Sequence, residues 1–404
     1  MIFKLAWRNI WRNKRRSVVV MTSVAVGVIA TLLMDTLSRG MIYQMLYNQI
    51  GSHVAHLQIH RQGFRDNPII QNNIPDAAVV ERAVSSTPGI SHYSSRILTY
   101  GLLSSAAASS GVFLIGIDPD QEGQITTIKG SLAAGTYLSG GPNEAVIGQS
   151  LAEKLGVGLG DRVVGMASAL DGHVGSDVFR IVGLYETLSS EFDKSFIYIA
   201  RDNAQEMLGV GDLVSEFAIR INDISQLHTI QDRLLEELGE EYEVFTYPEI
   251  LPFLVLQIDL YEQSMIIFYA IIGIALIFGI INTMLMSVFE RIREFGVLKA
   301  VGMKDRRLLM MIVLEAFLLG IIGTGIGFIV GYLIYLPLAR TGLDLSMFSE
   351  SLRSWGVGAI IYPVLTWNVI ANALLIIPIF AVLGALYPAF RAGRLQPMAA
   401  IRYV

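Results

Sequence analysis

His53, His56 and His60 fall within eight residues of one another and invite a metal reading. On a strand, His56 and His60 share one face and His53 takes the other, and no carboxylate or cysteine lies beside them in the sequence. That is poor geometry for a single tridentate site, so the three are expected to be structural. The chain has no cysteine, hence no disulfide and no thiolate metal site, and its redox compartment stays open. It has no Gly-Lys dipeptide either, so it carries no Walker A loop, and any ATP that drives it is expected on another polypeptide. No paired catalytic carboxylates and no Ser/His/Asp set stand out, which points away from an enzyme and from a resident cofactor or metal. Glu315 sits in an apolar stretch, and an acid there is a functional candidate by default. A partner such as Arg307, or a position close enough to the membrane edge to snorkel, would account for it equally well.

A second constellation lies in segment 290–303, ERIREFGVLKAVGM. Ile292, Phe295, Leu298 and Val301 recur every three residues, near enough to the helical period to give one apolar face. Arg291, Arg293, Glu294 and Lys299 occupy the other, with Gly296 between them. Charge alone would make this an ordinary cationic connection on the inner side of a membrane. Downstream, Gly323, Gly327 and Gly331 form a stripe that lets membrane helices approach closely, within the chain, between two copies, or both. Val28, Leu32, Met41, Met45, Tyr261, Met265 and Phe268 could line an apolar substrate cleft; ordinary helix packing also explains such residues.

The elements that position these residues follow from hydropathy. Of 404 residues 53% are hydrophobic and 16% charged, against roughly a quarter charged in a soluble domain. Apolar stretches at 17–37, 264–288, 308–336 and 368–390 are each long enough to cross a bilayer core, which takes about 20 residues. The last carries Pro378 and Pro388, and a proline inside a membrane helix commonly kinks it. Residues 1–16, 289–307 and the tail hold fifteen Lys and Arg, while segment 39–263 holds thirteen against twenty-eight acids. Both termini are therefore expected in the cytoplasm and the large middle segment outside it. The first span reads as a retained signal anchor, because its apolar core is long and no small-x-small cleavage site follows. The acidic middle segment does not suit nucleic acid or an anionic membrane surface. Alternating runs at 54–59, 196–199 and 216–221 read as strands, and 77–85, 149–155 and 224–238 as helices, giving a mixed α/β domain of one or two lobes. From Pro252 the helical pattern runs to 289, about 54 Å against a core of about 30 Å. With the extension of the first helix past Asp35 it predicts a protruding stalk.

The pattern R-x-R-E-x-G-V-L-K-A-x-G in 290–303, followed by Glu315-Ala316, is more specific than its charge, and here the chain resembles the MacB/FtsX-type, mechanotransmitting (type VII) ABC permeases, including the LolC/LolE lipoprotein-releasing branch. The opening 6–17, AWRNIWRNKRRS, is similar to that family's basic leader. So are 116–122, 146–157 with Gly160-Asp161, and 179–184 to its outer domain, and 387–402 to its last helix and tail. The resemblance implies a membrane protein with four transmembrane α-helices, a helical stalk and a large α/β extracytoplasmic (MacB-like periplasmic core) domain in the cell inner membrane. It divides the chain into a leader 1–16, first span and stalk 17–50, outer domain 51–246, stalk and second span 247–289 and coupling helix 290–307. A third span 308–336, short outer loop 337–367, fourth span 368–390 and cytoplasmic tail 391–404 complete it. It also implies that Arg291, Arg293, Glu294, Phe295, Gly296, Leu298 and Lys299 couple to a dimeric ABC ATPase subunit carrying ATP and Mg. A second permease copy or paralogue, and a periplasmic carrier or adaptor protein, are the further expected partners. Three activities follow from it: extraction of a lipoprotein or other lipid-anchored substrate, MacB-like efflux of a soluble peptide or small molecule, or FtsX-like regulation of an extracytoplasmic hydrolase.

Overall fold

Apolar runs longer than a globular core needs, closed off by charged residues at either end, wind into long helices. The computed structural model describes residues 2–394 and 396; Met1 of the expected leader, and most of the tail beyond Arg394 with Arg402, lie outside the described residues. Six helices are numbered here: α1 Ile2–Arg12, α2 Lys14–Gln49, α3 Pro252–Glu290, α4 Ile292–Ala300, α5 Asp305–Thr341 and α6 Trp367–Gly393. Four of them, α2, α3, α5 and α6, are long and apolar enough to cross a membrane. The 36 residues of α2 and 39 of α3 measure about 54 and 58 Å, so each outruns a hydrocarbon layer of about 30 Å.

The chain divides into two compact units, one of Met1–Ile42, Gln257–Asp344 and Ile360–Val404, the other of Tyr43–Leu256 with Leu345–Ala359. In the helical unit, buried Ile10, Val24, Ile280, Ile312 and Ala381 come from α1, α2, α3, α5 and α6 and form one core. Ala373, Ile377, Ala381, Ala385 and Ala389 recur every four residues along the buried face of α6. A Cβ on Gly320 of α5 would lie 3.0 Å from that of Ala381, so small residues set this helix spacing.

The outer unit is a mixed α/β domain. Its strands are β1 Leu57–Arg61, β2 Ile90–Ser104, β3 Ser109–Ile117, β4 Leu132–Gly135, β5 Glu144–Gly148, β6 Arg162–Ser168, β7 Val174–Tyr185, β8 Phe196–Ala200, β9 Glu216–Ile221 and β10 Tyr242–Thr246. They join in the order β10-β1-β9-β2-β3-β8-β5-β7-β4, and β6 bridges β2 and β7. The ring β2-β3-β8-β5-β7-β6 therefore closes on itself, while β9, β1 and β10 extend as an open sheet. The fifteen-residue β2 belongs to both: Arg96 lies opposite Glu216 of β9, and Gly101–Ser104 opposite β6. Each lobe has its own core. Helices Ala77–Ser86 and Leu227–Leu238 bury Val80, Val84, Ile230 and Leu234 with Ile59 and Phe217 of the open sheet. Leu114, Ile147, Val163, Phe179 and Ile197 fill the ring.

Several expected elements shift. The strand expected over 54–59 starts at Leu57, because Ile50–Val54 winds a π-helical turn that ends on Ala55 at φ 59°. His53 consequently lies off the strand. The helix expected over 224–238 is a 3-10 turn, Ile224–Gln226, followed by Leu227–Leu238. Within the expected outer loop 337–367, Leu345–Ala359 folds with the outer unit, where Arg353 pairs with Glu186 and, at 3.2 Å, with Asp193. Burial raises the Asp193 carboxyl above its ordinary range, despite hydrogen bonds from Thr187 and the Arg353 charge.

Candidate functional site

The short helix α4 lies between two spans, and its ends follow from its residues. Arg291, at φ −108° and ψ 11°, breaks the helical run of α3. Gly302, at φ +100°, supplies the left-handed turn that closes the other end, where Met303 N–H donates to the Leu298 carbonyl at 3.0 Å. Ile292 and Phe295 point into the core, and Gly296 is buried beside them.

Its charges are anchors more than a surface. Arg291 was expected on the polar face and is instead buried: Nη1 lies 3.2 Å from Glu315 of α5, and its guanidinium sits 5.1 Å from the Phe295 ring centroid. The partner of Glu315 is therefore Arg291 and not Arg307, since an ion pair across two helices encloses both charges. Glu294 receives Arg12 of α1, and Arg291 Nε at 3.4 Å. Partial burial works against its charge, but these two cations outweigh burial and hold its carboxyl below the ordinary range. Arg16 pairs with Glu290. Lys299 reaches Asp305 at 2.8 Å and the Gly393 carbonyl of α6 at 2.8 Å. Val301 also departs from expectation. The helix ends at Ala300, so Val301 turns outward at 84% exposure while Leu298 is half-buried. The outward face is thus Arg293, Glu294, Val297 and Ala300 of α4, with Val301 just past its end.

The glycine stripe faces α2. Added Cβ atoms would lie 2.9 Å from the Met21 carbonyl oxygen at Gly323, 2.7 Å from that of Ala25 at Gly327, and 3.6 Å from the Ile29 Cα at Gly331. This contact corrects the proposed cleft. Val28 and Leu32 are fully buried against Gly327 and Gly331 and line no open surface. Phe268 is 42% exposed, and Met41 and Met45 are half-buried. Tyr261 and Met265 belong to a different feature, which the sequence reading passed over. Asp35 of α2, 1% exposed, accepts from Arg39 Nε at 3.0 Å, Tyr269 OH at 2.5 Å and Tyr261 OH at 3.2 Å. It opens on a cavity of about 580 Å³ lined also by Met265, Asp259, Glu262 and Asn372. The signal was present: an acid inside an apolar run with an arginine four residues on.

In the outer unit, Arg96 is fully buried between Glu122 at 2.7 Å and Glu216 at 2.6 Å. Burial works against its charge, but the two carboxylates outweigh it and raise the guanidinium above its ordinary value. The three histidines do not converge. His53 packs against the Phe196 ring, His56 Nδ1 accepts from Ile221 N–H at 3.0 Å, and His60 stacks on Phe64. Burial pushes His53 and His60 down to about 4 and lowers His56. Among the described residues no group of three His, Cys, Asp or Glu is placed to hold a metal ion.

Comparison with known proteins identifies two domains: a MacB-like periplasmic core domain over residues 17–237 and an FtsX-like permease C-terminal domain over 266–397. The lipoprotein-releasing system transmembrane protein LolC of Xylella fastidiosa (strain 9a5c) is 24% identical over 301 residues, 71% of this chain and 72% of that one. LolC of Neisseria meningitidis serogroup B (strain ATCC BAA-335 / MC58) is 22% identical over 97% of this chain and 96% of its own. The macrolide export ATP-binding/permease protein MacB of Nitrobacter winogradskyi is 27% identical over 67% of this chain but 41% of its own.

Proposed function

Since this chain belongs to the family of ABC transporter permeases that joins a MacB-like periplasmic core domain to an FtsX-like permease C-terminal domain, we propose that it is the LolC-type subunit that draws a lipid-anchored substrate from the outer face of the membrane. The observation that carries the reading is α4, whose inner side is clamped by Arg291–Glu315 and Lys299–Gly393, with Arg12–Glu294 tying its exposed flank to α1, while Arg293, Val297 and Val301 stand outward. An ATPase pair carrying ATP and Mg docks on that outward face, and its closure displaces α4. The helices anchored to α4 carry the displacement, and the outer domain passes the substrate to a periplasmic carrier. Both termini and α4 lie in the cytoplasm, the chain itself performs no hydrolysis, and it works with a second permease copy or paralogue in the inner membrane. The lipid-anchored substrate is supported by the LolC relative that aligns along nearly its whole length.

The test is reconstitution of the chain with its ATPase, measuring hydrolysis on adding an acylated lipoprotein or its unacylated form. Extraction predicts stimulation by the acylated form alone. Equal stimulation by both would transfer the assignment to efflux of soluble substrates, the reading favoured by the match to MacB.

A further inference from the structure

The outer unit holds an open-mouthed cavity of about 350 Å³, at the lower end of the range for ligand pockets, about 300–1,000 Å³. That is room for one slender chain and not for a folded peptide. Tyr43, Leu46 and Tyr47 from the end of α2 form one wall, and Ile50, Ile125 and Ile224 supply most of the remaining apolar surface. In sequence, Tyr43 and Tyr47 follow the first apolar run by a few residues, where tyrosines mark the ends of membrane helices. The walls are stitched by backbone. Thr127 N–H and Oγ1 both donate to the Gly51 carbonyl, at 2.7 and 3.2 Å, and His56 N–H donates to Ile219 at 2.9 Å. Thr127 therefore spends its hydroxyl on the wall.

Besides the hydroxyls of Tyr43, Tyr47 and Tyr247, two polar groups remain. His56 Nδ1 accepts from Ile221 N–H, which fixes the neutral tautomer with its proton on Nε2, a donor. Burial and the neighbouring Arg220 keep that ring neutral. Arg220 donates Nη1 to the Gln124 carbonyl at 3.2 Å and has no carboxylate within salt-bridge distance among the described residues. Both groups line the cavity and both are donors, so they suit a head that only accepts.

We propose that this cavity binds a single acyl chain, with a carboxylate or ester carbonyl held by Arg220 and His56 and the hydrocarbon against Tyr43, Leu46, Ile50 and Ile224. The chain comes from a free fatty acid or from an acylated substrate; only the second source rests on the lipid-anchored reading above.

The full chain in nanodiscs is exposed to palmitic acid bearing a mid-chain diazirine, and cross-linked peptides are located by mass spectrometry. The site predicts labels on the peptides holding Tyr43 to Ile50 and Ile224. Ile224 is 53% exposed and lies outside the buried core, so Ile224→Trp adds bulk at the cavity without overfilling that core. It should cut labelling there at least fivefold. Arg220→Gln should raise the concentration of palmitate needed for half-displacement about tenfold and leave that of methyl palmitate within twofold. Displacement by a triacylated lipopeptide as well as by palmitate supports the site and assigns the chain to the substrate. Displacement by palmitate alone supports the site and removes it from the extraction pathway. Labels absent from these peptides, or unchanged by Ile224→Trp, overturn the proposal, whatever lipoprotein does to ATP hydrolysis.

Discussion

Replacing Glu315 by alanine leaves the Arg291 guanidinium enclosed, with only the long 3.4 Å approach of Glu294 to balance it. At 3.2 Å the lost attraction is about 5 kcal/mol at an effective dielectric of about 20. Both side chains are almost wholly buried, so solvent screens little of it. Removing one member of a buried pair costs about 3–5 kcal/mol, chiefly by stranding the other, whereas an apolar pair of similar volume is close to neutral. Three variants test this: Glu315→Ala, Arg291→Met, and Arg291→Met with Glu315→Leu. Unfolding free energies of the detergent-solubilised full chain should fall by several kcal/mol in each single variant. The double variant should recover most of the loss, giving a coupling well above the roughly 0.5 kcal/mol expected of independent sites. It should also fold and still bind the ATPase, yet lose substrate-stimulated hydrolysis. Additive single effects, or singles as stable as the parent, would refute the clamp.

Gly327→Leu should destabilise the helical unit by about 1–3 kcal/mol or more through overpacking, since the Ala25 carbonyl already stands 2.7 Å from the position of a Cβ. Gly325→Leu, with nothing within 4 Å, is the control, and equal unfolding temperatures would contradict the α2–α5 contact. His53 and His60 sit near 4 in the fold against about 6.5 in the unfolded chain, so the unfolded state takes up protons first as pH falls. Their contribution, about 3 kcal/mol each at about 1.4 kcal/mol per pH unit, is complete above 6.5 and is lost on the way down to 4. Unfolding of the outer unit followed from pH 7 to 5 should steepen accordingly and flatten in His53→Leu; an unchanged slope would discount burial of that ring. Asp35→Leu removes the acceptor that Arg39, Tyr261 and Tyr269 share, at about 1–3 kcal/mol for the buried Tyr269 hydroxyl and less for half-buried Tyr261 and for Arg39, which keeps Glu262 at 3.9 Å. Tyr269→Phe should cost less, and the reverse order in denaturant titrations would rule out Asp35 as the hub.

Whatever depends on neighbours in sequence could be read from it. The four apolar runs became four long helices, Gln149–Leu155 and Glu216–Ile221 fall where their periodicity put them, and Asp76 ends the chain's extended run by accepting from Ala78 and Val79 N–H at the start of a helix. Whatever depends on distant partners was hidden. Arg291 looked like a surface charge because Glu315, its partner, lies 24 residues away on another helix. Closure of the ring through β6 and the double allegiance of β2 are long-range pairings that leave no mark on local alternation. The π turn at Ile50–Val54 was missed because the local pattern draws Val54 into the alternating run that follows, whereas a backbone bond from Ala55 N–H to the Ile50 carbonyl at 2.9 Å holds it in the turn.

The buried ion pair also bears on how a push on α4 would spread. Arg291 ties it to α5, Glu294 to α1 and Lys299 to α6, while Phe295 plugs the core that all of them share. A close-packed interior deforms little and passes strain to its neighbours. Further along α5, Gly323 and Gly327 hold α2 at backbone contact, so α5 cannot slide without carrying α2. Larger side chains would hold the helices apart with flexible rotamers between them; glycines set backbone on backbone. On the proposed docking of an ATPase, the same small residues that bring the helices together would make α2 the follower of α5, and a displacement imposed on the outward face of α4 would reach Asp35 and Arg39 through backbone contacts instead of flexible side chains.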